Sequence, residues 1–356
     1  MKRSLDRLPQ PKNQTRLDWF RSGFGLDMGV DLGTANTLIF VGGKGIVLAQ
    51  PSYVAIDTKE EAVVAVGEEA REMVGRSPSH IDVIRPLSSG VIANVEAAQH
   101  MLRQFTLRVH QRRWLVKPRV VVCVPSGVTM IERAAVEQAV FQAGARRVDV
   151  VSEPLAAAVG AGLPVHEPRG SMVVDIGGGT TEVAVIVMGS VLASTSLRVG
   201  GDALDAAILS YIRKRQGILV GERTAEKIKM QAASAWPGVR EVNAEIMGRD
   251  LTTGKPRTIK LTAEELREAI ADPVNDIVDA TVGVFDRLPP EVVRDIASAG
   301  VVMTGGGALL PGLDKRLEKD LGVSVRLDPE PMTCVARGAG MLLDPGRNGS
   351  NGNGDG

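Results

Sequence analysis

The stretch MGVDLGTANTLIF at residues 28–40 decides the fold, because a second stretch, MVVDIGGGTTEVAV at residues 172–185, repeats its pattern. Each reads as a β-branched strand, an Asp-[Leu/Ile]-Gly step, a turn of small residues and a second strand. The two copies begin at Met28 and Met172, 144 residues apart. A repeat of this size predicts two halves with similar folds that face each other.

Both turns carry the residue types that surround a bound phosphate. Glycine lets the backbone approach a ligand closely and take positive φ, and successive turn N–H groups form a concave anion site. Threonine hydroxyls add further donors. We therefore predict phosphate contacts from Gly33, Thr34, Ala35 and Asn36 in the first turn and from Gly177, Gly178, Gly179, Thr180 and Thr181 in the second.

An aspartate stands at the start of each turn, Asp31 in the first and Asp175 in the second. These carboxylates would repel a phosphate unless a cation lay between them. Mg²⁺ prefers oxygen ligands and keeps several of its own waters. We predict that Asp31 and Asp175 hold Mg²⁺, partly through water. One such turn alone is equally well explained as an ordinary β-hairpin, but two matching turns favour a nucleotide site.

A third glycine turn follows a predicted strand in VVMTGGGALLPG, residues 301–312. Its backbone suits a nucleoside pressed flat against it, through Gly305, Gly306, Gly307 and Ala308. The sequence contains no Gly-x-x-x-x-Gly-Lys-[Ser/Thr] motif and no Gly-x-Gly-x-x-Gly that opens a helix after a strand. These absences argue against a P-loop enzyme and a dinucleotide-binding fold.

Length and composition limit the classes of protein to which the chain could belong. With 356 residues the chain exceeds what one hydrophobic core usually supports. Its 42 basic and 42 acidic side chains give no net charge, which argues against a dedicated nucleic-acid binder. Cys123 and Cys334 lie among apolar or small residues and are predicted to be reduced and semi-buried. No apolar run approaches the length of a membrane-spanning helix, and no signal-peptide core is recognisable, so we expect a cytoplasmic protein.

Between residues 26 and 343, short β-branched runs alternate with amphipathic stretches, which is an α/β pattern. The pattern predicts strands at 28–32, 37–41, 45–49, 119–124, 148–151, 171–175, 182–187, 191–196 and 299–303, and helices at 95–110, 129–143, 153–161, 202–215, 223–234, 263–286 and 311–320. Residues 1–25 are predicted to be a flexible basic extension, and residues 344–356 a disordered tail.

The two hairpins and the Thr-Gly-Gly-Gly turn, in this order, resemble the phosphate-1, phosphate-2 and adenosine motifs of the actin/Hsp70/sugar-kinase superfamily. Other segments resemble the MreB family of bacterial actin-like rod shape-determining proteins, and this resemblance runs from about residue 26 to residue 343. These segments are DLGTANTL (31–38), VPSGV (124–128), EPLAAAVGAGLP (153–164), GERTAEKIK (221–229), GRDLTTGKP (248–256) and LLPGLD (309–314).

The resemblance implies an α/β, actin-like ATPase fold, with two related RNase H-like halves and a nucleotide cleft between them. Subdomains IA and IB would take residues 26–160, with IB near 58–93. Subdomains IIA and IIB would take residues 161–325, with IIB near 208–270. Residues 326–343 would return to IA.

The resemblance also implies residue roles. Glu153 would orient the attacking water, with Thr180 and Asp175 beside it in the catalytic set. Glu226 and Lys229, which share a helix face, would bind the ribose hydroxyls; taken alone, they fit a solvated ion pair equally well. The implied activity is slow, Mg²⁺-dependent ATP hydrolysis coupled to assembly of homopolymeric filaments. Such filaments would organise cell-wall synthesis with elongation membrane proteins and maintain rod shape.

Two aromatic segments suit a membrane surface. Residues 103–119 carry six Lys or Arg and no acid, with Trp114 and Leu115 among them. Trp19 and Phe20 lie in the basic N-terminal extension. Tryptophan favours the headgroup region, so we predict contact with the inner face of the cell membrane. The alternatives are that Trp114 packs under a neighbouring helix and that residues 15–24 are an unstructured tail.

Several alternatives share the ATP site. A magnetosome-type or other bacterial actin paralogue would carry the same motifs. A small-metabolite kinase would need an acceptor base and a sugar pocket, and a chaperone ATPase would need a substrate-binding β-domain; the sequence offers no convincing candidate for either. Asn94 stands where an Asp is usual in the family.

Overall fold

The structure is a computed structural model that describes residues 27–110 and 117–343. The predictions for residues 1–25, for Trp114 and Leu115, and for the tail at 344–356 lie outside the described residues. Trp19 and Phe20 belong to the first of these segments.

The described strands run, in chain order, over β1 (Met28–Leu32), β2 (Asn36–Val41), β3 (Gly45–Pro51), β4 (Val54–Asp57), β5 (Ala62–Val66), β6 (Ile81–Ile84), β7 (Leu87–Ser88), β8 (Val91–Ile92), β9 (Arg119–Val124), β10 (Arg147–Ser152), β11 (Ser171–Ile176), β12 (Thr181–Val187), β13 (Ser190–Leu197), β14 (Ile218–Leu219), β15 (Ala244–Asp250), β16 (Pro256–Leu261), β17 (Val301–Thr304) and β18 (Val325–Leu327).

The described helices run over α1 (Glu68–Glu72), α2 (Val95–His110), α3 (Met130–Gln142), α4 (Glu153–Gly160), α5 (Gly201–Tyr211), α6 (Glu222–Ala232), α7 (Ala263–Ala269), α8 (Ala271–Phe285), α9 (Pro290–Ala299), α10 (Leu313–Leu321) and α11 (Cys334–Leu342). A π-helical turn at Ile212–Gln216 extends α5, and 3₁₀ turns lie at Gly307–Leu309 and Pro331–Thr333.

Two five-stranded sheets with the same connectivity form the centres of the two halves. The first sheet has the order β10-β9-β1-β2-β3, and the second has the order β13-β12-β11-β17-β18. In each, three consecutive strands form an antiparallel meander, and two later strands add in parallel beside its first strand. The internal repeat predicted from the sequence is therefore confirmed. We call the two layers built on these sheets the first and second halves.

The strands that lead into the phosphate turns are deeply buried. Every residue of β11 is buried, in agreement with its largely apolar sequence. The same holds for β1 except at Asp31, which is partly exposed. Helices cover both faces, and the apolar residues behind the two sheets form separate buried clusters. The turns are thus mounted on rigid strands.

Each half carries a smaller sheet. In the first half, β5, β4 and β6 pair in that order, between residues 54 and 84. In the second half, β14, β15 and β16 pair between residues 218 and 261. The predicted subdomain boundaries near 58–93 and 208–270 remain predictions. The second small sheet lies inside 208–270, whereas β4 of the first small sheet (Val54–Asp57) precedes residue 58.

The last helix, α11, returns to the first half. Gly29 on β1 has no room for a side chain, because a Cβ there would lie 2.4 Å from the backbone nitrogen of Gly340. A Cβ on Gly340 would in turn meet the ring of Phe40 on β2. Small residues on both elements therefore let α11 lie directly on the first sheet.

The predicted elements agree with the structure for most of the chain, with some differences. The single helix predicted at 263–286 is wrong, because Ile270 (φ −98°, ψ 5°) leaves helical geometry and separates α7 from α8. The predicted strand at 299–303 lies at 301–304, after the positive φ of Gly300 (79°). The strands of both small sheets and the helices α9 and α11 were not predicted.

Asn94, the departure from the family pattern, has a local role. Its side-chain oxygen accepts a hydrogen bond from the backbone N–H of Ala97 at 2.9 Å, in the first turn of α2. Asparagine and aspartate serve equally well in such a cap. Among residues 27–110 and 117–343, no helix is long and apolar enough to cross a membrane.

Candidate functional site

The first turn joins β1 to β2, and its backbone is fixed from behind by Ser52. The Ser52 hydroxyl donates to the carbonyl of Gly33 at 2.6 Å, and its N–H donates to the carbonyl of Ala35 at 3.0 Å. Ser52 is fully buried. Because N–H and C=O point in opposite directions across a trans peptide, the N–H of Thr34 points away from Ser52 and toward the open side of the turn.

The second turn joins β11 to β12 and is fixed by the start of α5. The N–H groups of Gly201 and Asp202 donate to the carbonyls of Gly177 and Gly178, at 3.0 and 2.8 Å. By the same geometry, the N–H groups of Gly178 and Gly179 point away from α5. The two turns thus have the same design, with carbonyls bound from behind and amides directed outward.

The two turns face each other across a narrow gap. A Cβ on Gly178 would lie 2.6 Å from the Ala35 methyl group, and one on Gly179 would lie 2.7 Å from the Thr34 hydroxyl. Glycine is therefore required on the second turn for the close approach of the first. The halves therefore face each other, as the sequence repeat predicted, and the two phosphate turns meet where they do so.

The third turn follows β17. Gly305 has φ +83°, and a Cβ there would lie 2.4 Å from Asp175 Oδ1, so this position needs glycine for both conformation and space. The Gly305 N–H and the Thr304 hydroxyl both donate to the carbonyl of Pro331 at 3.0 Å. The turn is consequently held beside the second phosphate turn.

A cleft of about 430 Å³ opens between the halves and brings the three turns together. One end is lined by the phosphate turns and by Asp31, Asp175 and Glu153. The other end is apolar. Its side chains are Met230, Leu309 and Met332, and each is about half or more exposed, at 68%, 48% and 50%. A polar end and an apolar end match the phosphate and base ends of a nucleotide.

The carboxylates at the polar end are strongly perturbed. Burial is the main cause that raises the pKa of Asp31, Asp175 and Glu153 above the usual range. The charge of Asp31 raises the pKa of Asp175 further, and the charges of Asp175 and Asp31 raise the pKa of Glu153, which starts α4. Negative charge here is therefore unfavourable until positive charge enters the cleft.

This donor set fits a hydrated Mg²⁺ ion. Buried carboxylates with raised pKa values favour binding of a divalent cation, and Mg²⁺ uses one or two carboxylates together with waters and phosphate oxygens. Within the described ranges, no three His, Cys, Asp or Glu side chains are arranged to enclose a metal directly. Asp31 and Asp175 would accordingly hold the ion as part of a shell that the nucleotide completes.

Glu226 and Lys229 lie on α6, and both border the cleft. Each already has another partner. Glu226 forms an ion pair with Arg71 of the first half at 3.1 Å. The Lys229 ammonium donates to Asp205 and to the carbonyl of Gly201, both at 2.8 Å. Their role at a ribose remains a prediction.

Some predicted residues are not among those that line the cleft. Gly179, Thr180, Thr181 and Ala308 do not border it. The prediction that the Thr181 hydroxyl donates to phosphate is wrong, because this hydroxyl is fully buried and donates to the carbonyl of Val199 at 2.7 Å. Gly33, Thr34, Ala35, Asn36, Gly177, Gly178, Gly305, Gly306 and Gly307 do line the cleft.

Sequence reasoning missed several lining residues. Asp202 and Asp205 follow the Gly200–Gly201 pair, and that glycine pair at the start of a predicted helix was a usable signal. Arg240 lines the apolar end and donates to the carbonyl of Met230 at 2.7 Å. It lies in a loop with no recognisable motif, so its sequence gave no such signal.

Two halves of matching topology, with a cleft between them and phosphate turns on corresponding strands, define the actin-like class of α/β proteins. Comparison with known proteins assigns the chain to one family within this class. The profile of the MreB/Mbl protein family matches residues 25–349, and the chain belongs to this family.

Curated relatives cover nearly the whole chain. The cell shape-determining protein MreB of Escherichia coli (strain K12) is 49% identical over 332 residues, which are 91% of this chain and 95% of the relative. The cell shape-determining protein Mbl of Bacillus subtilis (strain 168) is 48% identical over 321 residues, 90% of this chain and 96% of the relative.

Solved structures agree with the fold. MreB5 of Spiroplasma citri bound to ADP superposes with a TM-score of 0.85 at 34% identity, covering 89% of this chain and 96% of that one. A MamK double helical filament gives a TM-score of 0.76 at 22% identity, covering 90% and 98%. At this identity, the second likeness concerns the fold alone.

Proposed function

We propose that this protein binds ATP with Mg²⁺ in the cleft, hydrolyses it slowly, and assembles with other copies into filaments that maintain cell shape. The observation that carries the proposal is the pair of glycine turns that face each other above Asp31, Asp175 and Glu153. Two such turns offer outward amides to a chain of phosphates from both sides, which is the arrangement a nucleoside triphosphate needs.

The solved relatives support the proposal that the chain binds a nucleotide. MreB5 of Spiroplasma citri was solved with ADP and with AMPPNP, the latter at 35% identity and a TM-score of 0.84. AMPPNP stands in for ATP, with a nitrogen bridging its last two phosphates. The equivalent cleft in this chain has room for the phosphates at its polar end and for a purine among Met230, Leu309 and Met332.

Hydrolysis needs mainly positioning and charge stabilisation. When bound, Mg²⁺ would neutralise the phosphate oxygens and the two aspartates. The turn amides would hold the terminal phosphate in place. Glu153, which lines the polar end of the cleft together with Asp31 and Asp175, would accept a proton from a water that attacks in line.

Family membership supports the filament and its cellular role. The curated relatives at 48–49% identity are named cell shape-determining proteins. The magnetosome-type alternative receives less support, because the MamK likeness is only 22% identical. We infer that the chain acts as a cytoskeletal element that organises cell-wall synthesis, together with elongation proteins in the membrane.

We also propose that these filaments lie on the inner face of the cell membrane. The backbone N–H of Arg119 donates to the Asp27 carboxylate at 2.9 Å, and the Arg146 guanidinium lies 3.3 Å from it. The chain segments that flank 1–25 and 111–116 therefore meet at one edge of the first half. Exposed Arg103, Leu107 and Arg108 on α2 precede the second of these segments, which suits an anionic leaflet.

Electron microscopy and phosphate release with purified protein, ATP and Mg²⁺ test the proposal, with and without anionic liposomes. We expect filaments, slow phosphate release and co-sedimentation with lipid. Absence of filaments in both conditions would overturn the assembly claim. Replacing Trp114 and Leu115 by alanine should weaken co-sedimentation with the liposomes. If this double variant binds as well as the wild type, the membrane assignment of these residues is wrong.

A further inference from the structure

Glu182 is a buried carboxylate that the proposed mechanism does not use. It lies on β12 directly opposite Asp175 in the β11–β12 ladder, and only 1% of its surface is exposed. Directly opposed residues of an antiparallel pair project to the same face of the sheet. Glu182 therefore sits at the base of the second phosphate turn, on the side of Asp175, without bordering the cleft.

Donors from both halves hold this carboxylate. The backbone N–H of Ser126 donates to Glu182 Oε2 at 3.0 Å, and the Ser126 hydroxyl donates to the same oxygen. The Ser196 hydroxyl donates to Oε1. Ser126 follows β9 in the first half, whereas Ser196 lies on β13 in the second half. Through Oε2, the carboxylate thus joins the second half to the first. Through Oε1, it is bound to the neighbouring strand of its own sheet.

The loop that carries Ser126 is pressed against the second half. A Cβ on Gly127 would lie 2.9 Å from the Ser196 side chain. A Cβ on Gly90 would lie 2.6 Å from the Pro125 ring and 3.1 Å from the Thr180 methyl group. The loop therefore has little freedom to shift without moving β12, the strand that follows the phosphate turn.

We propose that Glu182 is a positioning residue that, through Ser126, ties the first half to the base of the second phosphate turn. The tie keeps Asp175 and Thr180 in register with the first turn and with Glu153 when the halves close on a nucleotide. It therefore supports the hydrolytic step more than nucleotide affinity, because the turn amides that hold the phosphates lie on the far side of the turn. This inference rests on the proposed ATP hydrolysis.

The variants separate the tie between halves from the bond within one half. Glu182→Met keeps the volume but accepts no hydrogen bond, and we expect phosphate release to fall about 100-fold, as for a misplaced reacting group. Ser126→Ala keeps its backbone donor and should lower release about tenfold. Ser196→Ala is the matched control, since it removes the same kind of donor without cutting the tie, and release should stay within about twofold.

Glu182→Gln tests whether the bond or the charge matters. Its amide oxygen can accept both Ser126 donors and its amide N–H can donate to Ser196, so phosphate release should stay near that of the wild type. Affinity for a fluorescent ADP and the melting temperature of all four full-length variants should change little. If Glu182→Met does not fold, the comparison of phosphate release between Ser126→Ala and Ser196→Ala still tests the proposal.

Three outcomes would overturn the role of Glu182: equal effects of Ser126→Ala and Ser196→Ala, a Gln variant as slow as the Met variant, or losses of rate matched by losses of affinity. If all variants release phosphate as fast as the wild type, the role of Glu182 is likewise overturned, but the proposed function is unaffected. If the wild type releases no phosphate with ATP and Mg²⁺, both the proposed function and this inference fail.

Discussion

Glu153 and Asp175 both line the polar end of the cleft, and both have pKa values raised chiefly by burial and further by neighbouring carboxylates. Carboxyl groups in such surroundings favour the protonated form in the absence of a cation. Entry of Mg²⁺ with a nucleotide would remove that preference. Glu153 would then become a free carboxylate, able to accept a proton from water. In the proposed mechanism, the nucleotide with its cation would thereby activate the general base.

Glu153→Gln tests this role. The amide keeps the size of the side chain but cannot accept the proton, so phosphate release should fall by about 100-fold or more. Affinity for fluorescent ADP should stay within a few-fold, and Glu291→Gln, an exposed change on α9, should leave both measurements unaltered. Retention of normal phosphate release by the Glu153 variant would remove it from the mechanism.

The sequence predicted the phosphate turns because their chemistry is local: a strand, an aspartate and small residues lie within about ten positions. It could not predict Ser52 behind the first turn or Ser126 beside Glu182. Their hydrogen bonds span 19 and 56 residues and leave no periodic signal. Thr181 was misjudged for a related reason, since strand β12 begins at that residue and turns its side chain inward.

Helices α4 and α11 approach each other unusually closely for two packed helices. A Cβ on Gly338 would lie 1.8 Å from the carbonyl oxygen of Ala156, and one on Gly160 would lie 2.0 Å from that of Cys334. The two helices therefore touch backbone to backbone. Because α4 carries Glu153 at its first position, this contact fixes the helix that presents Glu153.

Gly338→Ala should separate α4 from α11 and lower stability by about 1–3 kcal/mol, as expected for overpacking. Gly283→Ala is the matched control. It lies in the interior of α8, its added Cβ would meet nothing within 4 Å, and it should raise stability by about 0.5–1 kcal/mol. Thermal unfolding of both variants measures the difference. An unchanged melting temperature for Gly338→Ala would contradict the close approach.

These elements also show where sequence patterns fail. The glycines of α11 weaken its helical signal, and their reason is visible only when α4 and β1 are placed against them. In the small sheets, β15 and β16 expose polar and apolar residues alike, such as Met247 and Lys260. Without a clear alternation, neither strand met the pattern used for prediction.

At the scale of the whole molecule, two ion pairs span the mouth of the cleft. Arg85, just after β6, pairs with Asp202 at 2.6 Å and also donates to the Tyr53 hydroxyl at 2.8 Å. Arg71 pairs with Glu226 at 3.1 Å. Asp202 is itself bound to the second phosphate turn through its N–H group. Both pairs therefore join the first half to residues that line the cleft, and we expect them to hinder its opening.

Arg85→Met should therefore speed nucleotide release. Partly exposed ion pairs of this kind contribute modestly, so we expect dissociation of a fluorescent ADP to be about threefold to tenfold faster. High salt should have the same effect on the wild type and less on the variant. Arg215→Met, which removes a pair with Glu268 inside the second half, serves as the control. Equal release from the Arg85 variant and the wild type would exclude a gating role.

The return of α11 to the first sheet has a consequence for how the protein is made. Strand β1 emerges from the ribosome near the beginning of synthesis, but the helix that covers it comes only after every strand of the second sheet. One face of the first sheet must therefore stay uncovered during synthesis until α11 has been made, and the second half can fold before the first is complete. A growing chain cannot complete its cleft, and so cannot join a polymer, before translation has passed Leu342.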